Sequence, residues 1–82
     1  MITSAPPKIA RMANQIARFM ESRPPEGRAT GLAAHINDYW EPRMRRQLLA
    51  LIDAGGEGLV PMVIEAAPMI RPPPPEVQAI NP

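Results

Sequence analysis

Arg43, Arg45 and Arg46 follow directly on Tyr39-Trp40-Glu41-Pro42, and nowhere else does the chain gather so many side chains able to do chemistry. That chemistry is recognition rather than bond-making. A guanidinium forks onto carboxylates and phosphates, and Trp and Arg are enriched among the residues that anchor protein interfaces. Groups suited to catalysis are sparse. His35 is the only histidine and there is no cysteine, so a ligand or general base there would stand alone, and a structural or surface role is the simpler reading. Gly55-Gly56-Glu57-Gly58 lacks the preceding strand and the following Lys-Ser/Thr of a phosphate loop, and it reads as a helix stop followed by a turn. Asp53, Glu57 and Glu65 match no calcium-loop spacing, and no Ser-His-Asp set can be assembled. The expectation is a chain with no catalytic residue, no cofactor-binding residue and no metal site of its own.

The elements that must position the arginines are helices. Pro42 suits a first helical turn, where its missing N–H is no loss. That puts three cations at the positive end of a helix dipole, each disfavoured by roughly 0.3–1 kcal/mol. A cluster set against its own electrostatics needs partners. Asp38 and Glu41 could supply them within the chain, or another protein could supply them from outside. Trp40 has two readings that both stand: it closes the junction between two helices, or it lies partly in an interface. Tyr39, Trp40, Arg43, Arg45 and Arg46 are therefore the candidate partner-binding residues of the centre.

Residues 8–22 have helical periodicity, with Ile9, Met12, Ala13, Ile16, Phe19 and Met20 on one stripe. Ser4 is the candidate cap, with Pro6 and Pro7 in the first turn. Arg23-Pro24-Pro25-Glu26-Gly27 reads as a turn. A second helix runs from Arg28 to Tyr39, with Ala29, Leu32, Ala33, Ile36 and Tyr39 or Trp40 as its apolar face. Pro42 ends it, because the residue before a proline is biased out of helical geometry. The third helix runs from Pro42 to Ala54 with Met44, Leu48, Leu51 and Ile52 inward, and Gly55-Gly56 stops it. A short fourth covers Val60 to Ala67. Pro72, Pro73, Pro74 and Pro75 favour extended polyproline II and are further candidate partner-binding residues, either as a ligand for an aromatic groove or as a spacer. The fold class is all-α: a small three- to four-helix domain over 8–69 and an extended proline-rich tail over 70–82.

Composition narrows the function. Eighty-two residues without a disulfide make a core that rarely supplies more than about 3–5 kcal/mol of net stability. Six methionines and only three aromatic residues favour an adaptable packing surface, as expected of a subunit that completes its burial on something larger. A net charge of +1 is far from the basic balance of a nucleic-acid-binding domain. No apolar run approaches the ~20 residues that span a bilayer, and Met1 to Lys8 lack the layout of a secretory signal. A cytoplasmic location follows as the default.

Three stretches together resemble a known family. They are Lys8-Ile9-Ala10-Arg11-Met12-Ala13-Asn14-Gln15-Ile16-Ala17-Arg18-Phe19, His35-Ile36-Asn37-Asp38-Tyr39-Trp40-Glu41-Pro42-Arg43-Met44-Arg45, and Asp53-Ala54-Gly55-Gly56-Glu57-Gly58-Leu59. In this order they look like the delta subunit of the soluble, NAD-dependent, molybdenum-containing formate dehydrogenases, over residues 8–68. Tyr39 and Glu41 stand where the family pattern more often has Phe and Asp, which preserves the chemistry. The proline-rich tail lies outside the pattern.

The resemblance implies a cofactor-free accessory subunit that binds the alpha subunit directly, with beta and gamma subunits in the same complex. It also implies that the alpha subunit carries a bis-pterin guanine dinucleotide cofactor (bis-MGD) with molybdenum or tungsten, together with Fe–S clusters. FMN, further clusters and the NAD site belong to beta and gamma. The delta subunit's part is cofactor maturation and complex stability. Two other readings stand beside it. One is a small helix-turn-helix regulator binding nucleic acid, which needs a basic recognition helix. The other is a transient maturation chaperone, which differs only in leaving the finished complex.

Overall fold

The computed structural model describes residues 7–74. It is all-helical, as expected. The helices are α1 (Lys8–Met20), α2 (Pro25–Tyr39), α3 (Pro42–Asp53) and α4 (Pro61–Ala66), and a 3-10 turn over Ala67–Met69 prolongs α4. Proline punctuates the chain. Pro25, Pro42 and Pro61 each open a helix at its first position, and no N-cap side chain bonds to the backbone of α1–α4. A fixed φ and a missing donor suit that place.

This use of proline explains the one substantial boundary difference. The Pro24-Pro25-Glu26-Gly27 segment reads as a turn, but α2 begins within it, at Pro25. Pro25 starts the helix and Glu26 lies favourably in its first turn. Pro7 sits just before α1 rather than inside its first turn. Ser4 and Pro6 lie outside the described residues.

The C-terminus of α3 follows a Schellman pattern. The Gly56 N–H bonds to the Leu51 carbonyl at 2.9 Å and the Gly55 N–H to the Ile52 carbonyl at 3.0 Å. Gly55 and Gly56 have φ of 121° and 70°, values that a side chain disfavours. A Cβ on Gly56 would also lie 2.7 Å from Cδ1 of Ile64, so the turn packs directly on α4.

α2 packs on α4 and α1, while α3 leans mainly on α1. The core between them joins Met20, Leu32, Ile36, Trp40, Leu48, Val63 and Ile70 to buried alanines. On α1 the fully buried positions are Ala10, Ala13, Ala17 and Met20. Ile9, Met12 and Ile16 are only half-buried, and Phe19 is 68% exposed. The bulkier apolar stripe therefore lies roughly 100° round the helix from the face that meets α2 and α4. Small residues let the helices approach closely, and the large ones are left at the edge.

Candidate partner-docking site

Trp40 sits in an extended conformation between α2 and α3, and its N–H closes α2 on the Ile36 carbonyl. Its side chain is 7% exposed, so it joins the core at the helix junction. Tyr39, its neighbour, points the other way. It is 75% exposed and rests on the His35 ring, with centroids 4.9 Å apart at 42°. Together with Met12, Gln15, Ile16 and Phe19, His35 and Trp40 line a cavity of about 350 Å³. An indole floor, methionine and isoleucine walls and two exposed aromatic rings at or beside the rim make a surface suited to another protein's apolar side chains.

The three arginines part company. Arg43 is exposed. Arg45 is half-buried and donates twice, from Nη1 to the Trp40 carbonyl at 3.0 Å and from Nε to the Arg71 carbonyl at 3.0 Å. Arg46 Nη2 donates to the Pro74 carbonyl at 3.1 Å. The cations at the head of α3 thus find main-chain oxygens in the segment 71–74, which crosses over them. Carbonyl dipoles offset the unfavourable helix end, and a planar guanidinium suits two acceptors at once. Arg28 does the same at the preceding turn, with the carbonyls of Glu21 and Arg23 at 2.9 and 2.8 Å.

Two asparagines do what the spacing of charged and apolar residues could not reveal. Asn14 donates from Nδ2 to the Gly58 carbonyl at 2.8 Å and accepts on Oδ1 from the Val60 N–H at 3.0 Å. Asn37 repeats the pattern, with the Met69 carbonyl at 3.0 Å and the Arg71 N–H at 2.8 Å. Each amide takes the carbonyl of one residue and the N–H of the second residue after it, imitating the edge of a strand. Only one orientation of each amide satisfies both partners. Asn14 fixes the approach to α4, and Asn37 fixes the departure from it.

The segment 71–74 that these residues hold is irregular and largely exposed, with Pro73 half-buried. Pro72, Pro73 and Pro74 therefore form a strap over the α2–α3 junction, held through backbone oxygens. Pro75 lies outside the described residues.

A family model for the NADH-dependent formate dehydrogenase delta subunit, FdsD, matches residues 8–67. The chain belongs to the FdsD family. No curated protein matches it. The FdsD match begins with α1 and ends at the start of the 3-10 turn. It contains both asparagines, Trp40 and all three arginines, whereas Pro72–Pro74 lie beyond it. The segments that carried the resemblance now have physical roles. Asn14 and Asn37 tie loops down, Trp40 closes the helix junction, and Gly55-Gly56 turns the chain from α3 towards α4.

Thiolates are absent from the sequence. Among the described residues no group of three or more His, Asp or Glu side chains could hold an ion. No helix among them is long and apolar enough to cross a membrane.

Proposed function

We propose that this chain is a non-catalytic accessory subunit of a cytoplasmic NAD-dependent formate dehydrogenase, binding its alpha subunit and supporting that subunit's maturation or stability. The observation that carries the reading is the FdsD match over residues 8–67. In this reading bis-MGD, with molybdenum or tungsten, and Fe–S clusters belong to the alpha subunit, while FMN and the NAD site belong to beta and gamma. The chain acts by interface burial. Tyr39 and Arg43 reach the partner, Trp40, Arg45 and Arg46 hold the surface in shape, and the prolines of the strap add preorganised contact area. The helix-turn-helix alternative gains nothing from the structure, since Arg45 and Arg46 bond to the chain's own backbone.

A tagged full-length chain purified from its source tests this. Recovery of large iron–sulfur subunits with formate-oxidising activity, at one copy of the chain per alpha subunit, is the expected result. Recovery of nucleic acid that dissociates with salt would overturn it. Association with the immature alpha subunit alone would convert the subunit into a chaperone.

A further inference from the structure

The cavity beside Tyr39 is one part of a longer trench. Met12 also lines a second cavity of about 250 Å³, with Lys8, Ile9, Met44 and Gln47. Ile9 in turn lines a third, shallow and of about 420 Å³, with Pro7, Gln47, Ala50 and Leu51. The shared residues make the three continuous along α1, from Ile9 to Phe19. At the helical rise this is about 15 Å, or roughly three turns.

The walls are side chains at spacings of three and four: Ile9, Met12, Ile16 and Phe19 of α1 on one side, with Met44, Gln47 and Leu51 of α3 opposite, continued by Trp40 at the α2–α3 junction. Such ridges accept the ridges of another helix. An extended strand would need a free backbone edge, and helical walls offer none, because their N–H and carbonyl groups are already paired. The trench is also one-signed. No carboxylate lines any of the three cavities. Lys8 stands in the lining, and exposed Arg43 lies one turn before Gln47 on the same face of α3.

We infer that this trench receives an amphipathic helix of about three turns from the alpha subunit, apolar on the side that enters and carrying carboxylates along the flank that meets Lys8 and Arg43. The inference rests on the accessory-subunit reading and adds the surface and the chemistry of the segment that fills it. The half-buried methionines let the walls repack around that segment, and Phe19 and Tyr39 close over one end.

The test is photo-crosslinking within the purified complex. A benzophenone amino acid replaces Phe19, Met44 or, as a control, Glu65 on α4, an element that lines none of the three cavities. Phe19 and Met44 are expected to crosslink to one helical segment of the alpha subunit with apolar residues three and four apart and flanking Asp or Glu. In parallel, Phe19→Ser and Arg43→Glu change exposed positions. Each should keep the helical circular dichroism and weaken association by roughly tenfold or more, with the Arg43 effect fading at high salt. The trench assignment falls if the complex forms but only Glu65 crosslinks, or if Phe19 and Met44 reach residues 75–82, a second copy of the chain or a segment without acidic flanks. In those cases the accessory-subunit reading stands. If the chain recovers no formate dehydrogenase subunit at all, both fall.

Discussion

At the scale of single residues, the chain's polar chemistry is spent on main-chain atoms. Asn37 is the clearest case, because its two bonds need one donor and one acceptor. Asn37→Asp keeps the acceptor for the Arg71 N–H but turns a second oxygen on the Met69 carbonyl. A loss of about 1–3 kcal/mol is expected in denaturant unfolding, and Asp38→Asn, next door and exposed, should stay within about 0.5 kcal/mol. The arginines should separate just as sharply. Arg45→Ala removes two bonds from a half-buried guanidinium and should cost about 1–2 kcal/mol of stability. Arg45→Lys should recover only part of that loss, since one ammonium cannot hold the same fork. Arg43→Ala should leave stability within about 0.5 kcal/mol while weakening complex formation, measured by unfolding and by association with the alpha subunit respectively.

At the scale of elements, the chain end of α3 gives the sharpest contrast. Gly56→Ala forces a side chain into φ 70° and against Ile64, and about 1–3 kcal/mol should be lost. Gly27→Ala, in the first turn of α2 with nothing within 4 Å of an added Cβ, should be neutral or stabilising by about 0.4–1 kcal/mol. Thermal melts of the two variants should move in opposite directions or differ by several degrees. That stop was legible in the sequence, as were four helices and the junction at Pro42, because proline and glycine act through local backbone geometry. Two things were not. Pro25 looks the same whether it sits in a turn or opens a helix, and only the packing of α2 decides. Phe19 fits the apolar stripe of α1, yet periodicity reports spacing and not which side of a broad stripe meets the core. The alanines took the close approach to α2 and α4, and the larger side chains became a surface. The two asparagine clamps left no periodic signal, since each depends on a loop far along the chain.

At the scale of the whole molecule, the core is thin. Five of the twelve buried apolar side chains among the described residues are alanine, and the largest fully buried ones are Leu32, Ile36, Leu48 and Val63. The isolated chain should be marginally stable, and its apparent melting point should rise when the alpha subunit is added, because the partner binds only the folded form. A cooperative melt well above about 70 °C for the lone chain would contradict this. Truncation after Ile70 removes the oxygens held by Arg45 and Arg46 and the N–H held by Asn37. It should lower the melting point by about 4–8 °C, leave the helices in place and weaken assembly.

The asparagine clamps grip backbone atoms only, and this makes them indifferent to the side chains of the loops they hold. At Val60, Met69 and Arg71 the clamps therefore leave the side chain free, whereas Gly58 is held to glycine by its φ of 87° and Ile70 by its burial in the core. The exception is proline at Val60 or Arg71, where the gripped N–H would vanish. In a chain this rich in proline, with Pro61 and Pro72 each one position further on, the permitted drift stops one residue short of its neighbours. A substitution map would show tolerance at Val60 and Arg71 broken by that single prohibition.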